Sequence, residues 1–85
     1  MNYTVGWTQR ARIEMLAQLL RAADKQQMLR AGRTVENRLK RDPHNAGEQR
    51  EGGTRILFER PLCVLFAIDD DTREVLIERV RWVGF

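Results

Sequence analysis

"LCVLFAIDDDTREVLIERVRW", residues 62 to 82, is the stretch whose reading decides the fold. Residues 62 to 68 are apolar without interruption, as expected of a central strand covered on both faces. The "DDDT" that follows is a polar turn, and it joins this strand to "REVLIERVRWV" as a hairpin. In the second strand Leu76, Glu78, Val80 and Trp82 fall on one side, and Val75, Ile77, Arg79, Arg81 and Val83 on the other. Neither side is cleanly apolar, and a bulge near Glu78 resolves which one faces inward.

Upstream, "TRILFE" (54 to 59) sets Ile56 and Phe58 against Arg55, Leu57 and Glu59, a strand with one packed and one mixed face. At the other end, "YTVGW" (3 to 7) alternates Tyr3, Val5 and Trp7 with Thr4 and Gly6, so a short strand opens the fold. Thr8 then caps a helix over residues 9 to 23. Ile13, Leu16 and Leu20 recur at intervals of three and four, with Met15 and Leu19 widening the stripe, and this face is expected to lie on the core. Arg10, Arg12, Gln18 and Arg21 take the wet side. Asp24 caps a second helix, with Gln27 at capping-box spacing. Its stripe of Met28, Ala31 or Gly32, Val35 and Leu39 runs to about residue 41, where Asp42 before Pro43 stops it. Gly32 is placed for close approach to the first helix, and the short connection makes the two an antiparallel hairpin. The expected fold is α+β, in the order β-α-α-β-β-β: the helical hairpin on one face of a small, mainly antiparallel four-stranded sheet.

With 85 residues, 42% of them apolar, residues 1 to 85 form one domain, since a chain this size has only enough burial for one core. No apolar run approaches the ~18 residues that span a bilayer. The polar, aromatic start and the charges inside the first apolar stretch do not read as a signal peptide, so a cytoplasmic location is expected. Cys63 is the single cysteine and His44 the single histidine. No internal disulfide is possible, no metal or other cofactor is expected, and Cys63 reads as a small buried strand residue.

The formal charge is +3, and the cationic excess lies in residues 1 to 53. Arg38, Lys40 and Arg41 cluster at the end of the second helix, where cations also complement the backbone dipole. Such an end either holds nucleic-acid phosphates or an acidic partner segment, or is simply a solvated face. Arg79 and Arg81, two apart on one strand, share a face and with Arg55 make a small cationic patch. Glu48, Glu51 and Asp69 to Asp71 are expected to diverge into solvent. "GEQREGG" (47 to 53) is expected to be a flexible connection, because its glycines lack phosphate-loop spacing. Trp7 and Trp82 have the chemistry to stack bases, but their strand positions place them in the core.

The element order, the helix end "LKRDP", the glycine-bearing loop and "GTRILFERPLCVLFAIDDDTREVLIERV" together resemble the RelE/ParE toxins of bacterial type II toxin–antitoxin systems. The resemblance implies a toxin neutralised by an antitoxin. It implies one of two targets: mRNA cut in the ribosomal A site, or DNA gyrase. Metal-independent RNA cleavage needs a group to take the 2′-hydroxyl proton, cations to hold the phosphate and an acid for the leaving oxygen. In the ribonuclease branch Arg55 matches a basic strand position and Arg81 an arginine near the end of the last strand. Arg79, Arg38, Lys40, Arg41 and Arg50 are the further candidates for phosphate or partner contact. Cys63 stands where another arginine belongs, and the most direct alignment places Val83 rather than Arg81 at the last position. Losing one transition-state contact of this kind costs about 2.7–4 kcal/mol. Three functions follow as expectations: a toxin acting by occlusion, a ribosome-dependent endoribonuclease using Arg55 and Arg81, and a non-toxic binding protein of the same fold.

Overall fold

The computed structural model describes residues 2–84. The chain runs β1 (Thr4–Trp7), α1 (Gln9–Arg21), α2 (Lys25–Arg41), a single-turn α3 (Pro43–Ala46), β2 (Glu48–Gln49), β3 (Arg55–Glu59), β4 (Leu62–Asp69) and β5 (Glu74–Trp82). Helices pack on one face of a five-stranded mixed sheet of order β1-β5-β4-β3-β2. The strands from β2 to β5 pair antiparallel, while β1 runs parallel to β5 and closes the far edge.

The sheet therefore has one strand more than the sequence pattern suggests. The addition is β2, only two residues long and so too short for alternation to reveal. It forms because Gly47 lets the chain press against β3. A Cβ at that position would collide with the Ile56 carbonyl oxygen and come within 3.0 Å of the Phe66 ring. The "GEQREGG" segment is thus partly ordered pairing rather than a loose link. Its turn proper is Gly52 and Gly53, at φ 73° and 77°, a left-handed region that glycine enters without penalty.

β4 occupies the centre, and Leu62, Val64 and Phe66 are completely buried. The β4–β5 register slips between Leu65 and Phe66, which face Arg79 and Ile77 and leave Glu78 as the extra residue. This is the bulge that the alternation required. It carries Val75, Ile77 and Val80 onto a single buried face. Across the ladder that face continues through Val64 and Phe66 to Leu57 and Arg55, because directly paired residues point the same way. Met28, Ala31, Val35 and Leu39 of α2 cover it, as their spacing predicts. Gly32 lies against Met15, whose terminal methyl would sit 3.2 Å from an added Cβ.

α1 departs from expectation. Ile13, Leu16 and Leu20 are 60%, 56% and 72% exposed, so the stripe assigned to the core faces outward. The inward side is Ala11, fully buried, with Met15, Leu19 and Ala22 packed against the core. The cause is at the sheet edge. β1 pairs with β5 only through residues 74 to 77, and beyond that point α1 takes the place of a strand. The Glu14 carboxylate accepts the Val80 backbone N–H at 2.8 Å, which fixes the roll of the helix. Thr8 caps α1 by accepting the Ala11 N–H, and its hydroxyl donates to the Glu78 carbonyl of the bulge. Asp24 caps α2 by accepting the Gln27 N–H at 3.0 Å. The hairpin connection spans residues 22 to 24, slightly longer than expected. Trp82 also departs from expectation: it is 55% exposed, not core.

Candidate functional site

The cationic residues singled out from sequence do not converge. Arg55 lies on the helix-covered face, where Nη2 donates to the carbonyls of His44 at 2.6 Å and Gly47 at 3.1 Å. Its Nε is buried without a partner. Arg55 thus ties α3 and the following loop to β3 from the side opposite the open sheet face. Arg38 donates to Glu59 at 3.4 Å and to the Ala46 carbonyl at 3.2 Å, a second tie between α2, α3 and β3. Arg50 pairs with Glu48 two residues away. Lys40 and Arg41 remain exposed at the end of α2.

Arg79 is also engaged. Its Nε and Nη2 both reach the Glu14 carboxylate at 3.0 Å, and both side chains are mostly buried. Burial would raise the Glu14 pKa, but the hydrogen bonds from Arg79 and from the Val80 N–H outweigh it and hold the carboxyl below its ordinary value. Arg81 alone among the candidate strand arginines is exposed and makes no ion pair among the described residues. It pairs across the ladder with Cys63, on the face opposite Arg55. Burial pushes the Cys63 thiol up, while Arg50 and Arg81 pull it partly back. The open face around them is mainly apolar: Ile56, Phe58, Leu65, Ala67 and Leu76 share it by strand alternation.

One cluster escaped the sequence reading. Asp70, in the turn after β4, accepts the Tyr3 hydroxyl at 2.7 Å and lies 2.8 Å from His44 Nε2. The Arg73 guanidinium sits over the Tyr3 ring, 5.6 Å from its centroid. The His44 contact, then the Tyr3 hydroxyl, holds the Asp70 carboxyl low, and the Asp70 bond in turn raises the Tyr3 phenol. This surface knot joins β1, α3 and the β4–β5 turn. No local pattern announces it, because Asp70 is 67 residues from Tyr3 and 26 from His44.

An exposed apolar surface also lies on the helices. Ile13, Leu16 and Leu20 stand exposed along α1, and Leu29 at 41% is exposed on α2. Two shallow depressions, about 330 and 230 Å³, share Trp7, Met15 and Leu19 as their floor. Arg12 borders one and Arg33 the other.

No family model matches the sequence, and no curated protein matches it. Solved structures do match, end to end. The RelBE2 toxin–antitoxin complex of Mycobacterium tuberculosis shares 26% identity over 96% of this chain and 92% of its own, with a TM-score of 0.79. The chain has the RelE/ParE fold. The chromosomal ParDE system of P. aeruginosa matches over 96% of this chain and 97% of its own, at TM-score 0.69 and 22% identity. The archaeal RelE–RelB complex of Pyrococcus horikoshii OT3 covers 99% and 98%, at 0.70 and 12%. Within the RelE/ParE fold this chain is divergent: where the resemblance implies a cation-lined open face, it presents Ile56, Phe58 and Cys63 beside Arg81. Among the described residues no helix is long and apolar enough to cross a membrane.

Proposed function

We propose that this chain is the toxin component of a type II toxin–antitoxin pair, held inactive in the cytoplasm by an antitoxin and acting on its target by occlusion rather than by chemistry. The observation that carries the reading is the outward-facing stripe of Ile13, Leu16 and Leu20 on α1, in a fold whose solved relatives include toxin–antitoxin complexes. An apolar stripe at helical spacing suits an amphipathic segment laid across it. The neighbouring Arg12 favours an acidic flank on that segment, while Arg33 shares its depression with Glu36. The antitoxin is therefore expected to present apolar anchors three and four residues apart among Asp and Glu.

The geometry weighs against the endoribonuclease reading. A phosphate on the open face would meet Arg81, but Arg55 is turned to the helices and Arg79 is held by Glu14. Two of the cations needed to stabilise a five-coordinate phosphate are thus occupied elsewhere, which leaves gyrase or a ribosomal surface as the target to be blocked.

Inducible expression in a host cell tests the reading. The expected result is growth arrest with intact mRNA, relieved by co-expressing a small acidic antitoxin if one is encoded beside this chain. Loss of supercoiling would assign gyrase. Cleavage of mRNA within ribosomes, abolished by Arg81→Ala, would replace occlusion by catalysis, and no arrest at all would leave a non-toxic binding protein.

A further inference from the structure

The open face of the sheet, on the side away from α2, carries its charges in an order. Strand pairing sets Asp69 of β4 beside Glu74 of β5 at one end, and Cys63 of β4 beside Arg81 of β5 at the other. From Cys63 to Asp69 the two ends lie about 20 Å apart, at the ~3.3 Å rise per residue of a strand. Arg50 extends the cationic end. It is close enough to Cys63 to act on its thiol, as Arg81 does, and its own pairing with Glu48 is solvent-exposed. Arg79 adds little, because Glu14 already neutralises it. Glu74 and Arg81 are both exposed, and neither makes a side-chain hydrogen bond or ion pair among the described residues.

Between the charged ends the face is apolar. Ile56, Phe58, Leu65, Ala67 and Leu76 share it, and two of them stand well out of cover, Phe58 at 49% and Leu76 at 43% exposed. Gly6 of β1 pairs with Leu76 and adds no side chain of its own to screen it. This order discriminates among occupants. A nucleic-acid strand would meet carboxylates at one end and find no donor over the centre, and an acidic peptide would meet the same carboxylates. A surface of reversed order, acidic where this one is cationic and apolar between, matches both ends and the middle. A second copy of this face, turned through 180°, has that order.

We propose that two copies of this chain pair through their open sheet faces in a twofold dimer, Arg81 of each copy lying beside Glu74 and Asp69 of the other. The axis runs across the strands, so β4 and β5 of the two copies lie antiparallel over one another with their apolar centres stacked. Two sheets packed this way stand about 10 Å apart with their strand directions within about 30°, which keeps the charged ends in reach. Symmetry makes each charge contact occur twice. The helices stay outside the contact, so the α1 ridge is free in the dimer. The proposal stands on the charge order of the sheet and does not require the toxin reading.

Sedimentation equilibrium of the purified chain, from low micromolar to submillimolar concentration, tests it. The expected result is a reversible monomer–dimer equilibrium, the mass rising from 10.0 kDa towards twice that value. Arg81→Glu and Glu74→Arg should each weaken association at least about tenfold by placing like charges together, while leaving the circular dichroism unchanged. The double variant Arg81→Glu with Glu74→Arg should regain most of the lost affinity. Its exchanged charges are too far apart within one chain to compensate each other, and they meet only across the dimer. Leu76→Asp should abolish association by setting a charge in the apolar centre, and Leu16→Asp, on the α1 ridge, should leave it intact. A chain that stays monomeric at every concentration, a double variant that associates no better than the single ones, or association lost in Leu16→Asp and kept in Leu76→Asp would overturn the proposal.

Discussion

Glu14 of α1 grips Arg79 of β5 through both Nε and Nη2 while its Oε1 accepts the Val80 N–H, so a helix side chain supplies the hydrogen bond that β1, ending at Trp7, does not reach to make. This one carboxylate sets the roll of α1 and thereby decides which of its faces meets solvent. Glu14→Ala strands a guanidinium and a backbone donor, and it should lower stability by about 1–3 kcal/mol in urea denaturation.

The same contact has a pH signature. Glu14 is held below the ordinary glutamate value of 4.5, so the folded state favours its ionised form. The stabilisation is fully present above that value and is lost as pH falls through the lowered folded one. Between roughly pH 5 and pH 3 the urea midpoint of the parent chain should fall more steeply than that of Glu14→Gln, which carries no titrating group there. Parallel curves would show that the pair contributes no charge-dependent stability.

Two leucines on helices make a paired test of burial. Leu39→Ala empties a fully buried position under the sheet and should cost about 2–5 kcal/mol. Leu20→Ala, at a position 72% exposed, should stay within about 0.5 kcal/mol of the parent chain. Leu16→Asp should likewise preserve the fold but abolish capture of an acidic antitoxin, measured by co-purification and by failure to relieve growth arrest.

Gly47→Ala should destabilise the chain by about 1–3 kcal/mol, since the new methyl meets backbone on β3 and not a flexible side chain. Chemical denaturation of the variant measures the cost, and loss of amide protection at Arg50, whose N–H donates to the Thr54 carbonyl at 2.7 Å, would locate it in the β2–β3 pairing.

Tyr3 is the only tyrosine, so its ionisation can be followed directly by ultraviolet absorbance. Its hydrogen bond to Asp70 raises the phenol above 10.0. Asp70→Asn should bring the midpoint back toward that value, and an unchanged midpoint would remove the bond from the solution structure.

The legible parts of the fold were those where local pattern and final burial have one cause. α2 carries its stripe inward, β4 is apolar because it is central, and the bulge at Glu78 was visible as a break in alternation. α1 misled for a physical reason: a stripe such as Ile13, Leu16 and Leu20 states that a face is to be covered, not what covers it. For Arg55, alternation grouped it correctly with Leu57 and Glu59, yet could not say that the helices lie on that side. The Tyr3–Asp70–His44 knot and the Glu14–Arg79 pair bridge residues far apart in sequence and leave no local trace.

The parallel pairing of β1 with β5 also bears on how the chain reaches its fold. Val5 lies beside Val75, and the Thr8 N–H finds its acceptor at Ile77. During synthesis the first strand emerges with no neighbour and must wait for the last one, an arrangement of high contact order that slows closure of the sheet. Until then α1 has no Val80 to grip, and the nascent chain leaves its apolar surface open to chaperones or to a partner already folded nearby.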